Sequence, residues 1–297
     1  MNRSPRILVT GVNGLIGGRI FERLTKDNNV LGSSRNSGSY NSNQFDLSNV
    51  GQIKAWLDLV NPDVIINCGG VTAVQYAEDN KEETWLVNVL AVEEITKWSK
   101  LKGSKLIQFS TDFVFDGKNE IYSESDMPKP LSFYGKSKLQ AEQIALSNSN
   151  AVVIRTSLVY GFSQKLSRSN FPLWLIEQLN EDREITITAD QFRSPTCVYD
   201  LSEAVSKLVW SNFVGIINLA GKDRVGVYDF AMSIAEVFEL NNQLMAPIIT
   251  ETSKTENHRP LSSALDIELA RNSIGYEPKS LVNSLIEMRR LMNYKSV

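Results

Sequence analysis

An open parallel α/β sheet with a dinucleotide site, carrying a smaller lobe towards its C-terminus, is the fold this chain predicts. Three observations predict it. Short apolar runs alternate with helix-patterned stretches through the first half of the chain. The first apolar run passes at once into a glycine-rich turn and a helix. After residue 161 the alternation loosens, with no long linker, repeat or low-complexity tract, so the last third reads as a lobe built on the first domain.

Composition narrows the class. The 297 residues are 42% hydrophobic and 22% charged, an ordinary globular balance long enough for one large domain or a domain with a lobe. A net charge of -3 without a basic run argues against nucleic acid and anionic membranes as partners. No apolar run approaches the roughly 20 residues of a membrane span. Met1-Asn2-Arg3-Ser4-Pro5 leads directly into a strand without a signal peptide's apolar core, so a cytoplasmic location is expected. Cys68 and Cys197 lack metal-like spacing and read as buried free thiols. His258 is the sole histidine; nothing near it supports a hydrolase triad, and no metal site is expected.

Arg6-Ile7-Leu8-Val9-Thr10 is the first buried strand, and Gly11-Val12-Asn13-Gly14-Leu15-Ile16-Gly17 follows it. Glycines there allow a tight turn and close approach of backbone N–H groups to a pyrophosphate, and the helix N-terminus favours the phosphate charge. The spacing is Gly-x-x-Gly-x-x-Gly. A second strand over 29–32 ends in Ser33-Ser34-Arg35, where an acid would serve a free ribose 2′-hydroxyl. Two hydroxyls and an arginine suit a 2′-phosphate instead, which favours NADP(H) over NAD(H). Asp46 precedes a helix over 50–60 and either accepts from an adenine amino group or caps that helix.

The next strand, 63–67, runs into Cys68-Gly69-Gly70-Val71-Thr72, where small residues again let backbone approach a ligand. Residues 77–100 read as one long helix with apolar positions at Trp85, Val89, Val92, Ile95 and Trp98. Asn88 inside it is expected to bond to a neighbouring loop. A strand over 105–110 delivers Thr111 to the sheet's C-terminal edge, well placed to hydrogen-bond a substrate oxygen. Beyond it, Tyr134 and Lys138 lie four apart at the start of a helix and so share a face. An ammonium near a phenol pulls its pKa from about 10 towards working range. Alone the pair is a weak signal, better explained by a packed tyrosine beside a solvated lysine. A strand over 151–155 follows. Helices are then expected at 171–179, 198–210, 228–238 and from 280, strands at 185–188 and 215–219, and a polar loop at 190–196.

These residues together resemble the dTDP-4-dehydrorhamnose reductase family of the extended short-chain dehydrogenase/reductase superfamily. The matches run along nearly the whole chain: Gly11 to Gly17, Ser110-Thr111-Asp112 with Val114-Phe115-Asp116-Gly117, Tyr134-Gly135-Lys136-Ser137-Lys138, Arg155-Thr156-Ser157, Asn170-Phe171, Asp190-Gln191 and Arg259-Pro260. The resemblance implies a doubly wound, Rossmann-like domain over 1–165, to which about 190–225 returns, with 166–297 forming mainly a substrate lobe. It assigns catalysis to Thr111, Tyr134 and Lys138. Cofactor contacts fall on Gly11, Asn13, Gly14, Leu15, Ile16, Ser34, Arg35, Asp46, Leu47, Cys68, Gly69, Gly70, Asn88 and Ser157, together with Tyr134 and Lys138. Substrate contacts fall on Thr72, Val74, Asp112, Phe113, Arg193 and Arg259.

The implied chemistry is NADPH-dependent reduction of the 4-keto group of a nucleotide-diphosphate 6-deoxyhexose. Tyr134 is the proton donor, its pKa lowered by Lys138, which also bonds the nicotinamide ribose. Leu158 stands where the rhamnose reductases carry a tryptophan, which leaves the hexose open. Arg193 either reaches a substrate diphosphate or is a surface charge. Nucleotide-sugar 4,6-dehydratases typically have Thr-Asp-Glu, and Phe113 in the third place disfavours elimination. An epimerase on the same fold, and a binding protein like the regulatory subunit of methionine adenosyltransferase, remain alternatives. Oligomeric state, including a homodimer, is left open.

Overall fold

The computed structural model describes residues 4–26, 29–36, 43–163, 169–250 and 259–293. His258 and most of the loop after Arg35 lie outside the described residues. The first half of the chain runs β1 (Arg6–Thr10), α1 (Leu15–Leu24), β2 (Asn29–Ser34), β3 (Asn43–Gln44), α2 (Val50–Val60), β4 (Val64–Asn67), α3 (Val74–Asp79), α4 (Lys81–Trp85), a π-helical segment Leu86–Leu90, α5 (Ala91–Lys102), β5 (Lys105–Phe109), β6 (Ile121–Tyr122), α6 (Phe133–Ala145) and β7 (Ala151–Arg155). The second half runs β8 (Val159–Tyr160), α7 (Phe171–Asn180), β9 (Ile185–Thr188), β10 (Phe192–Arg193), β11 (Thr196–Cys197), α8 (Val198–Trp210), β12 (Gly215–Asn218), β13 (Val225–Gly226), α9 (Val227–Phe238), β14 (Met245–Ile248), β15 (Ala264–Leu265), α10 (Glu268–Ile274) and α11 (Leu281–Leu291).

Seven strands form one sheet in the order β12-β7-β5-β4-β1-β2-β3, paired parallel throughout. The chain winds outward from β1 through β2 to β3, crosses back to β4, and winds the other way. The reversal between β1 and β4 leaves a crevice at their C-terminal ends, the place where such sheets bind ligands. The central strands read as continuous apolar runs because helices cover both faces. On one face Ile20 and Leu24 of α1 pack with Leu201, Val205 and Leu208 of α8. On the other, Ile53 and Leu57 of α2 pack with Ile95 and Trp98 of α5 and Ala145 of α6. A further core joins α7, α9 and α11 through Leu175, Phe230, Ile234, Phe238 and Leu285. Leu265, Ile267, Ala270 and Tyr276 pack into the sheet's core.

Two local expectations change. The single helix over 77–100 is broken into α3, α4, the π-helical segment and α5. The extra residue per turn falls at Asn88, whose buried side chain is held from outside the helix. The polar loop at 190–196 contains two short strands: β10 pairs with β13, and β11 with β8. β9 pairs in parallel with β14, outside the main sheet. No helix among the described residues is long and apolar enough to cross a membrane.

Candidate active site

The crevice is built first by close backbone approach. Gly11 sits at φ +68°, and a Cβ there would lie 2.9 Å from the Gly69 nitrogen. A Cβ on Gly17 would lie 2.4 Å from the Gly11 carbonyl oxygen, so any side chain would lift α1 from the turn. Gly14 caps α1 with no side-chain bond, and the first turn holds no acid. The turn therefore fits a pyrophosphate: a helix N-terminus whose own first turn and cap supply no side chain to offset its positive end. Leu15 and Ile16 open that helix half-buried. Leu47 is buried against Gly69. A buried ladder that sequence reading did not single out ties the strand ends together. The Thr10 hydroxyl donates to Asn67 Oδ1 at 2.6 Å, and Asn67 Nδ2 donates to Gln108 Oε1 at 2.8 Å. Polar side chains interrupting apolar strands were its signal.

At the far end of β2, Ser34 is buried and its hydroxyl donates to the Asn36 carbonyl at 2.7 Å. Asn13 Nδ2 donates to the same carbonyl at 3.1 Å. Arg35 is exposed and lies 3.6 Å from Glu83. Asp46 does not cap α2, whose N-cap is Asn49. Its carboxylate accepts instead from the Ser48 N–H at 2.9 Å, closing the turn one step earlier because Asp46 stands too far upstream of the helix.

The catalytic candidates meet at the end of β5. Ser132 caps α6 by accepting from the Gly135 N–H at 3.0 Å, and Glu78 accepts from the Phe133 N–H at 2.6 Å. A hydroxyl and an acid at a helix N-terminus fix where the helix begins, and hence where Tyr134 stands. The Tyr134 ring is buried among Val74, Ala77, Val71 and Phe113. Its hydroxyl lies close enough to Thr111 for the Thr111 side chain to act on it. One turn on, Lys138 is buried and donates from Nζ to the Phe109 carbonyl at 2.6 Å. Asn88 reaches the same helix: its Oδ1 accepts from the Val71 N–H at 2.8 Å, while Nδ2 donates to the Val71 carbonyl and to Ser137 Oγ, both at 3.0 Å. Ser137, set between Tyr134 and Lys138, was missed as a site residue. Its position one turn below the tyrosine was the available signal.

The electrostatics differ from expectation. Burial pushes the Tyr134 hydroxyl up to about 12, the Thr111 side chain opposing and the Asp112 charge adding to the rise. Burial also draws Lys138 down to about 8, with Glu142 and Cys68 pulling the other way. The Lys138 ammonium is aimed at the Phe109 carbonyl, and burial is the largest influence on Tyr134.

Asp112, Arg193 and Ser157 sit deeper than sequence suggested. Asp112 is 3% exposed and Arg193 4% exposed, so the surface-charge reading of Arg193 fails. Its Nη1 donates to the Phe192 and Leu261 carbonyls, and its Nη2 to Pro260 and to Gln191 Oε1. Those bonds commit the donors that a diphosphate would need. The Ser157 hydroxyl donates to Asp112 at 2.9 Å, not outward to a cofactor. Phe113 lies edge-on to Tyr134, with the Arg193 guanidinium 5.4 Å from its ring centre. Thr72 and Arg259 are exposed, Val74 is buried beneath Tyr134, and Cys68, Gly69 and Gly70 are half-buried at the end of β4. Leu158 adopts φ +41°, an uncommon state for a branched side chain, and packs on the second-half core.

A doubly wound sheet, a glycine turn at its switch point and a Thr-Tyr-Lys set beside it define a protein of the extended short-chain dehydrogenase/reductase type. Within that class the chain belongs to the RmlD substrate binding domain family, which matches residues 5–293. It is 30% identical over 280 residues to methionine adenosyltransferase 2 subunit beta of Xenopus laevis, covering 92% of this chain and 84% of that one. It is also 30% identical over 301 residues to the dTDP-4-dehydrorhamnose reductase of Aggregatibacter actinomycetemcomitans, covering 96% of this chain and 98% of the other. The crystal structure of dTDP-4-dehydrorhamnose reductase from Bacillus anthracis in complex with NADP superposes with a TM-score of 0.88 at 26% identity, covering 97% of this chain and all of that one.

Proposed function

We propose that this protein is an NADPH-dependent reductase of the 4-keto group of a nucleotide-activated 6-deoxyhexose, acting as dTDP-4-dehydrorhamnose reductases do in deoxysugar synthesis. The observation that carries the reading is the meeting of Thr111, Tyr134 and Lys138 at the β5 end of the crevice, in a chain of this family. Reduced nicotinamide, when bound, supplies the hydride. The glycine turn and the α1 N-terminus hold the pyrophosphate, and Ser34 with Arg35 faces the 2′-phosphate; that pair favours NADP(H) over NAD(H). Tyr134 gives its proton to the oxygen that becomes the hydroxyl. Tyr134 holds its proton at neutral pH, as a donor must, and the rise that burial causes makes it a weaker acid, which a nearby ammonium would offset. Thr111 orients the carbonyl, and the Lys138 ammonium stabilises the phenolate left behind once ligands displace it from Phe109. Arg259, exposed and close to Arg193, is the arginine that meets a diphosphate in this reading.

The test is a panel of 4-keto-6-deoxy nucleotide-sugars assayed with NADPH and NADH side by side. Tyr134→Phe should cut turnover about 10²–10⁴-fold while leaving NADPH binding intact. Undiminished turnover in that variant would remove Tyr134 from the acid role. The identity to a methionine adenosyltransferase subunit supports a second reading, a dinucleotide-binding subunit of another enzyme. No turnover on any sugar, together with stable co-purification of a partner enzyme, would select it. Turnover that proceeds without added cofactor would select an epimerase.

A further inference from the structure

We propose that Asp112 is a positioning residue: its buried carboxylate fastens the 260–263 strap to the catalytic turn, so that the strap sets where Thr111 and Tyr134 stand. The inference rests on the reductase reading for its kinetic part and on geometry for the rest. Asp112 Oδ1 accepts from the Thr111 hydroxyl at 3.1 Å. Its Oδ2 accepts from Ser157 at 2.9 Å and from Ser263 at 2.5 Å, with Arg193 Nε at 3.9 Å. Three hydrogen-bond donors and a guanidinium from four separate segments converge, which an ionised carboxylate satisfies and which leaves it little to offer a substrate. Ser157 and Ser263 are 1% and 0% exposed, so water does not compete.

Arg193 provides a second tie between the same two parts. Its Nη2 donates to the Pro260 carbonyl at 2.8 Å, and its guanidinium lies over Phe113, whose N–H donates to Thr111 Oγ1 at 3.2 Å. The strap's backbone is held on its other side, with the Phe192 N–H donating to Leu261 and the Ser263 N–H to Phe192. Movement of the strap is therefore transmitted to the turn that carries Thr111. Ser263, from the other half of the chain, becomes part of the machinery without touching substrate.

Ser263→Ala removes one tie on the strap side and leaves the Thr111–Asp112 bond in place. Ser157→Ala is the matched control, because it removes a hydroxyl from the same oxygen without touching the strap. Hydrogen–deuterium exchange on the full chain should show residues 260–265 exchanging on the order of tenfold faster in Ser263→Ala, the loss of one hydrogen bond to a charge, and unchanged in Ser157→Ala. With an accepted nucleotide-sugar, kcat in Ser263→Ala should fall on the order of tenfold at unchanged KM for NADPH. Asp112→Asn, which keeps size and loses charge, should show both effects more strongly. Unchanged strap exchange in Ser263→Ala overturns the proposal, as does faster exchange with wild-type kcat. If the wild-type chain turns over no sugar, the reductase reading fails, and the exchange measurement alone decides whether Asp112 fastens the strap.

Discussion

A Cβ placed on Gly135 would stand 2.2 Å from the Phe113 carbonyl oxygen, so α6 rests directly on the backbone of the turn that follows Thr111. This contact sets Tyr134, the preceding residue, beside Thr111. Gly135→Ala must separate the helix from the turn. A loss of about 1–3 kcal/mol in urea denaturation is expected, the usual cost of overpacking. Turnover should fall further, about 10²-fold, since a shift near 1 Å misplaces the acid. Lys136→Ala, on the exposed side of the same helix, should change neither. Equal activity in the two variants would show that the close approach is not what positions Tyr134.

Asn88 grips one residue twice, through the N–H and the carbonyl of Val71, and so pins the Gly69-Gly70-Val71 loop to the middle of a helical run. A Cβ on Gly70 would meet Asn88 Oδ1 at 2.9 Å, so the loop lies flat against that amide. Asn88→Ala leaves these partly buried groups unmatched, at a cost of about 1–3 kcal/mol. NADPH affinity measured by titration calorimetry should weaken on the order of tenfold if the loop lines the cofactor. Asn88→Asp puts a carboxylate against the Val71 carbonyl at a position 2% exposed, so it should cost at least as much as alanine. A cofactor affinity untouched by either change would detach the loop from dinucleotide binding.

The contrast between those residues marks what could be read in advance. Period-2 and period-3.6 apolar patterns are local properties, so β1, α2 and β7 were legible to within a residue or two. The glycine turn was legible because its chemistry is local too. The break at Asn88 was not, because its cause is a partner 17 positions away that only folding brings near. The surface-charge reading of Arg193 failed for the same reason. A charged side chain in a polar stretch reads as solvated, and its burial depends on carbonyls at 260 and 261 and a carboxylate at 112. The Tyr134–Lys138 pair was visible as spacing, whereas the sense of the Tyr134 shift depends on burial, which spacing does not report.

Arg155 and Glu142 form a buried two-point ion pair, Nη2 to Oε2 at 2.8 Å and Nε to Oε1 at 3.0 Å, each residue 1% exposed. Ser110 adds a hydroxyl to Glu142 Oε1 at 2.5 Å, next to Thr111. Removing one charge leaves the other buried and unpaired. Arg155→Met should therefore cost about 3–5 kcal/mol in denaturant unfolding, and Arg155→Met with Glu142→Gln should cost clearly less. A double variant as unstable as the single one would mean that the pair contributes through packing, not through compensation of charge.

Lys138 gives the pH dependence its sign. Burial lowers it from 10.5 to about 8, so between those values the unfolded chain holds a proton that the folded chain has released. Stability from this group therefore rises with pH across that window, and the penalty of a buried ammonium is fully present below about 8. Lys138→Met removes the penalty. The Phe109 carbonyl keeps a partner in that variant, because Gln108 Nε2 also donates to it at 2.9 Å. Urea midpoints at pH 7, 8, 9 and 10 should show wild type gaining on Lys138→Met step by step above pH 8. Turnover should move the opposite way, falling above about pH 8 as the ammonium next to Tyr134 is lost. Parallel stability curves for the two proteins would mean that Lys138 titrates near its ordinary value and that its burial is relieved by solvent.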